Sequence, residues 1–291
     1  MIRTASDTRG MRGSVVAAVV AAVAMLAPEG SRAQTAEPVT LRIGPPVGET
    51  VRMRLDQRVE MSGTTRMAGG DSTATVVTTL VVISRAFVER RDRDATVLLT
   101  STDSVAAAST GADSMVIANE TRRALQGKRV RLRVAPDGAT EILGKDVDGT
   151  SELSALFSQM PATLPNTAVP VGYSWSRVMV APIDPSLGAQ GEGGRMRATF
   201  RLDSLSRNAD RAFISVVGTL SRGPGAKDGG WSTLETSGSM NGGFVIDRRR
   251  GWISDARLTY TVRSTVVPSG GTATEAMRFR MKVTQWVRVV Q

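Results

Sequence analysis

Apolar and polar residues alternate with a period of two along most of this chain. In residues 51–61 the odd positions are mostly apolar, and the even positions are arginine or acid. The same alternation returns in residues 129–134, 195–202 and 278–289. A period of two is typical of strands with one packed face and one wet face, as in antiparallel sheets.

This pattern predicts strands near residues 50–61, 74–90, 95–107, 129–135, 139–143, 173–181, 195–206, 211–221, 236–247, 252–266 and 275–290. Residues rich in Asp, Asn and Gly separate them at 91–95, 136–139, 207–212 and 247–252, which favours hairpin turns. The glycine-containing segment 62–73 is predicted to be a loop.

Two segments carry helical spacing instead. In residues 112–128 the positions of Met115, Ile117, Thr121 and Leu125 suggest a helix, with Gly127 as its C-cap. In residues 148–161 an apolar stripe that includes Phe157 ends at Pro161. We therefore predict one or two short helices packed on the sheet.

Together these elements predict a mainly β fold, namely a large curved antiparallel sheet or half-barrel made of two similar β-units. Residues 45–291 are expected to form one β-rich domain, with halves of about 45–163 and 164–291. Residues 34–44 are expected to be a flexible N-terminal segment.

The first 33 residues resemble an export signal. Basic residues precede the apolar run 14–28, and small Ser31 and Ala33 precede the predicted cleavage point. Translation from Met11 instead of Met1 would give a more ordinary basic region. The apolar run is shorter than the roughly 20 residues of a membrane-spanning helix. The chain has no cysteine, so we expect a periplasmic or secreted protein without a lipid anchor and with no membrane span after cleavage.

The chain is basic, with a formal net charge of +10. A solvated arginine-rich surface explains this charge, and a polyanion or an anionic membrane is the alternative. Nucleic acid is disfavoured as a partner, because the export signal points away from it and aromatic residues make up only 4% of the chain.

The sequence contains neither histidine nor cysteine. Catalytic sites of the Ser-His-Asp and Cys-His types, and metal sites built on imidazole or thiolate, are therefore excluded. Most acidic residues fall at predicted turns, where they stabilise the backbone. We expect no enzyme activity, no catalytic residue, no metal and no cofactor.

The apolar strand positions are the remaining candidates for binding. They include several methionines, which suit an adaptable wall for an acyl chain and equally suit a loosely specified core. The candidate ligand face consists of Met53, Leu55, Leu132, Phe157, Trp175, Met196, Phe200 and Met281.

Residues 164–177 (LPNTAVPVGYSWSR) hold two prolines, a tyrosine and a tryptophan. Pro170 and Gly172 are expected to turn the chain into a new strand, with Trp175 buried at its start. We interpret this stretch as the junction between the two β-units, not as an active site.

The order of these motifs resembles that of an uncharacterised family of bacterial exported proteins, a domain-of-unknown-function group in which many members are lipid-anchored. The likeness rests on residues 125–142, 164–177, 208–220 and 242–258. It implies an exported β protein and no known catalytic residue. The anchoring cysteine of that group is missing here. At the level of fold alone, the pattern is also similar to lipoprotein carriers of the LolA type.

The sequence thus predicts an exported, non-enzymatic envelope protein with a binding or scaffolding role. The alternative is a periplasmic carrier that holds a lipid or lipoprotein on an apolar concave sheet face. The expected partner is a lipid or an envelope protein.

Overall fold

The computed structural model describes residues 37–67, 70–111, 114–143, 163–180, 195–222, 227–228, 231–268 and 276–290. They belong to one compact unit that spans residues 37–291. The predicted export signal, the predicted helix at 148–161 and Phe157 lie outside the described residues.

Strands dominate the described residues. They are β1 (Thr50–Met67), β2 (Gly70–Asp92), β3 (Ala95–Ser109), β4 (Arg129–Val134), β5 (Thr140–Leu143), β6 (Ser174–Val180), β7 (Arg195–Leu205), β8 (Arg211–Arg222), β9 (Lys227–Asp228), β10 (Trp231–Asp247), β11 (Trp252–Pro268) and β12 (Met277–Val289). One helix, α1 (Ser114–Leu125), follows β3.

All of these strands belong to one antiparallel sheet with the order β5-β4-β3-β2-β1-β12-β11-β10-β8-β7-β6, and the two-residue β9 pairs with β10. The sheet is open. The first strand of the chain pairs with the last, so β1 and β12 lie at its centre. Strands from the first half of the chain form one side of the sheet, and strands from the second half form the other.

The predicted mainly β fold is confirmed, as an open antiparallel sheet that carries one short helix among the described residues. Gly127 follows α1 with a positive φ of 74°, as the predicted C-cap requires. The prediction of a loop at 62–73 is wrong, because β1 continues to Met67 and β2 begins at Gly70. Threonines favour strands, and Thr64 and Thr73 hydrogen-bond across this hairpin at 2.9 Å.

The strand register assigns the alternating residues to two faces. Leu55 lies opposite Val82 of β2 and Val287 of β12, and this row continues through Ala256, Phe244, Ile214 and Leu202. We call the face that carries this row the apolar face. Arg54 and Arg288, which are cross-strand partners, lie on the other face, which we call the polar face.

The hydrophobic core occupies the two flanks of the sheet on the apolar face. Leu98 of β3 and Leu132 of β4 belong to the same buried cluster as Phe200 of β7 and Ile214 of β8. Strands from opposite flanks share this cluster with residues that lie between strands, so both flanks direct the apolar face toward the same interior.

Two segments outside the strands fill that interior and join the flanks. The first is the N-terminal segment, residues 37–49. In it the Ile43 amide donates to the Pro136 carbonyl at 2.8 Å, and the Gly44 amide donates to the Gly251 carbonyl at 2.9 Å. Pro136 and Gly251 belong to turns on opposite flanks. Gly251 has a φ of +61°, and a Cβ there would lie 2.8 Å from the Gly44 oxygen, so the turn requires glycine.

The sequence-based expectation of a flexible segment at 34–44 overlaps this N-terminal segment. Leu41 and Ile43 are both buried in the core, and Val39 forms an isolated bridge with Val169.

The second joining segment is residues 163–173, which we call the strap. The amides of Thr163 and Leu164 both donate to the Asp137 carbonyl at 2.9 Å, which fixes the strap to the β4–β5 turn. At its other end the Gly172 amide donates to the Leu202 carbonyl of β7 at 2.7 Å. Leu164 is fully buried. The strap therefore links β4–β5 to β6–β7, which lie at opposite ends of the sheet order.

Trp175 secures the strap from the second residue of β6. Its indole Nε1 donates to the Thr163 carbonyl at 2.6 Å, and its ring stacks on Phe200 with centroids 5.8 Å apart. Two residues on, the Arg177 Nη2 donates to the Leu164 carbonyl at 2.8 Å. The prediction that Trp175 is buried at the start of a strand is confirmed.

We predict that the bond from Trp175 to Thr163 is worth more than the equivalent bond of a half-exposed tryptophan. Trp175→Phe keeps the ring stacking but leaves the Thr163 carbonyl without its indole donor, at a cost of about 1–2 kcal/mol. Trp175→Ala also opens a cavity and should cost about 3–5 kcal/mol. Urea unfolding measures both changes.

Trp286→Phe is the matched control, because Trp286 Nε1 donates to the Asp255 carboxylate at 2.8 Å on the solvent side of the sheet. It should cost less than Trp175→Phe. Equal losses from the two variants would contradict a special role for the strap.

Candidate functional site

The central strands are less buried than their position in the sheet suggests. Strand β12 has a hydrogen-bonded neighbour on each side, yet none of its thirteen residues is buried. On β1, only Val51 is buried within the described side chains. A central strand of a globular domain usually buries at least one face. Within the described residues, no segment covers the apolar face of the central strands as residues 37–49 and the strap cover the flanks.

The half-buried apolar residues of these strands form a patch, which we call the central strip. It consists of aliphatic and methionine side chains that belong neither to the buried core cluster nor to its partly buried border: Leu80 and Val82 of β2; Met53, Leu55, Val59 and Met61 of β1; and Val283 and Val287 of β12. Met61 is 36% exposed. Arg54, which lies on the polar face of the same strand, has 36% of its side chain exposed.

The register of β1, β12 and β11 places strip residues and core residues in the same cross-strand rows. Val59, Val283 and Tyr260 form one row across β1, β12 and β11, and the next row contains Met61, Met281 and Val262. Met281 and Tyr260 pack against the core cluster, and Val262 belongs to it. Within the described residues, the apolar face is thus a solid core on the flanks and a half-exposed surface at the centre.

Two glutamines interrupt the strip. Gln57 of β1 lies directly opposite Gln285 of β12, and their row continues to Leu80 on one side and Leu258 on the other. In the described part of the chain, neither side-chain amide has a hydrogen-bond partner. Side chains directly opposite on antiparallel strands have Cβ atoms roughly 5 Å apart, so one ligand group can contact both amides.

Tyr260 supplies a further polar group at the border of the strip. Burial raises the pKa of its hydroxyl, and a tyrosine hydroxyl is protonated at neutral pH even without that shift. The glutamine pair and Tyr260 thus offer neutral hydrogen-bonding groups within an apolar surface, with no acid or base at the same place.

On the polar face behind the strip, charged side chains cluster around Trp286 and Asp56. The Trp286 ring lies between two guanidinium groups, with Arg257 Cζ 4.3 Å and Arg288 Cζ 3.8 Å from its centroid. Asp56 accepts from Arg54 at 2.7 Å and lies 3.7 Å from Arg288. The hydrogen bond from Arg54 is the main cause that lowers the pKa of Asp56. These contacts hold the polar face in place at the centre of the sheet.

The structure places seven of the eight sequence-predicted ligand residues on the apolar face. Leu132, Trp175, Met196 and Phe200 are buried members of the core. Met281 lies at the core border, and Met53 and Leu55 belong to the central strip. Phe157 lies outside the described residues.

Sequence reasoning missed the glutamine pair. Gln57 and Gln285 each occupy an apolar position in an otherwise alternating strand, and a single polar residue at such a position indicates no site by itself. Each of the two strands carries one such glutamine, but only the β1–β12 pairing shows that the two glutamines face each other.

The described residues give little support for a metal site or a deep pocket elsewhere. They contain no cluster of acidic side chains that could hold a metal ion. One shallow pocket of about 370 Å³ lies at the turn between β7 and β8, and one of about 270 Å³ lies between Phe213 and Arg257. Neither is lined by residues of the central strip. No helix among the described residues is long and apolar enough to cross a membrane.

Comparisons with known proteins identify no family. No family model matches the chain, and no curated protein matches it. The sequence-based resemblance to an exported family of unknown function therefore stays a resemblance.

Several solved structures are distantly similar. Lipovitellin, in a structure concerned with lipid–protein interactions, has 10% identity and a TM-score of 0.46 over 85% of this chain, which spans 26% of that protein. A protein described as exported, with a YmcC-like fold, from Bacteroides fragilis has 8% identity and a TM-score of 0.19, with coverage of 87% of this chain and 100% of that one. A DUF1329 family protein from Desulfovibrio piger has 10% identity and a TM-score of 0.14, with coverage of 80% and 85%. Likenesses this distant carry no argument about function, which has to be derived from the site itself.

The Asp56 cluster predicts a pH-dependent contribution to stability. Because the pKa of Asp56 is lower in the folded chain, its contribution is present above the unfolded pKa and is lost as pH falls through the folded value. Asp56→Asn should lower the free energy of unfolding at pH 7 by up to about 1 kcal/mol.

Thermal unfolding from pH 7 to pH 3 would test this effect, because the difference between Asp56→Asn and wild type should shrink below about pH 4. A constant difference across that range would show that the charge of Asp56 does not stabilise the fold.

Proposed function

We propose that this chain is an exported, non-enzymatic binding protein of the bacterial envelope, and that the central strip is its ligand-binding surface. The observation that supports this most directly is that β12, at the centre of a large sheet, has no buried residue. An apolar surface on a central strand is stabilised when another molecule covers it, because burial removes apolar area from water.

The ligand we propose is a lipid acyl chain, as in the carrier that the sequence analysis raised as an alternative. The strip consists of aliphatic and methionine side chains, and methionine adapts its shape to flexible apolar ligands. Binding sites for small molecules are mainly apolar with a few placed polar groups. The strip with its glutamine pair fits that description, and the polar group it favours is a carbonyl or carboxyl next to the acyl chain.

The amides of Gln57 and Gln285 suit such a group. Each side chain offers two N–H donors and one carbonyl acceptor. In the described residues these groups are not engaged with protein partners, so a ligand oxygen would not compete with an existing bond. The absence of histidine and cysteine from the sequence favours binding over covalent chemistry.

Affinity is expected to be moderate. Full burial of a Val or Leu side chain contributes about 1.5–3 kcal/mol, and the strip residues are already half-buried, so each covered side chain contributes on the order of 1 kcal/mol. Such a surface suits reversible carriage rather than permanent storage.

Two adjacent valines provide the sharpest test of the strip. Val82 lies on the strip, and Val81 lies on the polar face of the same strand opposite Asp56. Both are half-buried. Val82→Ser should weaken binding of the fluorescent fatty acid cis-parinaric acid about fivefold, since about 1 kcal/mol of apolar contact is lost.

Val81→Ser should leave that binding unchanged, although both variants should lose similar stability. Fluorescence titration and thermal unfolding measure the two effects. If both variants weaken binding equally, or if wild type binds no fatty acid, the strip is not the binding surface.

Removal of the glutamine pair should reduce the discrimination between a fatty acid and an alkane. Gln57→Leu/Gln285→Leu makes the strip entirely apolar, so the folded chain should be as stable as wild type or more stable. Wild type should prefer a fatty acid over an alkane of equal length, and the double variant should lose about tenfold of that preference because two hydrogen bonds are removed.

Competition against cis-parinaric acid measures both ligands. An unchanged preference in the double variant would show that the glutamines do not contact the ligand, while leaving the strip itself intact.

A further inference from the structure

The glutamine pair lies midway along the central strip. On β1, Gln57 is six residues from Val51 in one direction and six residues from Gly63 in the other. At roughly 3.4 Å per residue, each half of the strip extends about 20 Å from the glutamine row. The polar groups of the strip therefore have apolar surface on both sides, not on one side only.

Toward the N-terminal end of β1, the first half of the strip ends at covered side chains. The rows of Leu55 and Met53 come first, and both pair with valines of β12. The row after them contains Val51, which lies opposite Ala86 of β2. Val51 and Ala86 are only 4% and 1% exposed, so no ligand can lie on the strip beyond Met53.

Toward the β1–β2 hairpin tip, the second half has the same length and ends at an aromatic ring. The rows of Val59 and Met61 come first, and they are followed by Gly63 opposite Phe279 of β12. A Cβ atom on Gly63 would lie 3.4 Å from Cε1 of Phe279. The Phe279 ring therefore reaches across to β1 and occupies both positions of that row.

The strip between these two ends carries no charge. From the row of Val51 to the row of Gly63, every residue that β1, β2, β11 and β12 place on the apolar face has a neutral side chain. A carboxylate covered on such a surface would lose hydration without gaining a cation, which is strongly unfavourable. A neutral carbonyl loses much less hydration, and it can accept hydrogen bonds from the amides of Gln57 and Gln285.

We propose that the strip binds a neutral lipid ester, with the ester carbonyl at the glutamine pair and two alkyl arms that run in opposite directions along β1 and β12. Because this ligand occupies the central strip, the inference rests on the proposed function, and it narrows the ligand from any acyl chain to one with its polar group in mid-chain. An extended chain advances on the order of 1.2 Å per bond, so each half accommodates an arm of up to about 16 carbons.

Three isomers made of the same atoms test the position and charge of the polar group. Octyl octanoate has its carbonyl in mid-chain, methyl pentadecanoate has it near one end, and palmitic acid has an ionised group at one end. Each is delivered from cyclodextrin and competes with cis-parinaric acid for the full chain. Octyl octanoate should displace the probe at about fivefold lower concentration than either isomer, because it alone covers both halves while it keeps its hydrogen bonds to the glutamines.

Two valines of β12 form a matched pair of variants for the two arms. Val283 and Val287 lie two positions either side of Gln285, and both are half-buried. Val283→Ser and Val287→Ser should each weaken the binding of octyl octanoate about fivefold, since each removes apolar contact with one arm. Val81→Ser, on the polar face, is the control that should leave the binding of all three isomers unchanged. Thermal unfolding shows whether each variant is folded.

The Gln57→Leu/Gln285→Leu variant should bind octyl octanoate and methyl pentadecanoate equally, because its strip no longer favours one position of the carbonyl. Equal displacement by the two esters in wild type, tighter binding of palmitic acid, or a loss confined to one of the two valine variants would overturn the ester inference. In each of these cases the strip would still be an acyl-chain site. If wild type binds no cis-parinaric acid, the proposed function itself is wrong, so the two failures are distinguishable.

Discussion

The hydrogen bond from the Trp175 indole to the Thr163 carbonyl secures the contact on which the rest of this fold depends. An open sheet with this many strands has two ends far apart in sheet order, and strand pairing alone does not bring them together. The strap does so, because its first residues bond to the β4–β5 turn while Trp175 and Arg177 of β6 hold its carbonyls. The N-terminal segment makes a second connection of this kind through the amides of Ile43 and Gly44.

Within the described residues, closure at the flanks leaves the centre of the sheet half-exposed. The strap and the N-terminal segment bury the apolar sides of β3, β4, β7 and β8, but β12 keeps no buried residue. In the part of the chain that the structure describes, the same face of one sheet is therefore a structural core at its sides and a half-exposed surface in the middle. On that surface the amides of Gln57 and Gln285, which have no partner among the described residues, supply polar groups that a structural core would not tolerate without partners.

Local pattern predicted much of the fold for a physical reason. The period of two assigns each side chain of a strand to one face whatever the neighbouring strand is, so Leu55, Val59 and Val283 were assigned correctly without knowledge of their partners. Turn residues such as Asp137 and Gly138 limit where strands end. The same reasoning failed at residues 62–73, because cross-strand contacts such as that of Thr64 with Thr73 outweigh the local preference of glycine for loops. Half of the predicted ligand face, including Phe200 and Met196, was assigned to the right face but is buried as core.

The sequence by itself determined the strand content, the face of each alternating side chain, the helix at α1, the burial of Trp175, and the lack of histidine and cysteine chemistry. These properties depend on residue type and on neighbours a few positions away. Only the tertiary structure decided that the first and last strands pair, which brings Gln57 opposite Gln285 and Arg263 opposite Arg280. It also decided which apolar residues are covered, because coverage depends on where the strap and the N-terminal segment cross the sheet, and contacts between distant parts of the chain leave no periodic signal in the sequence.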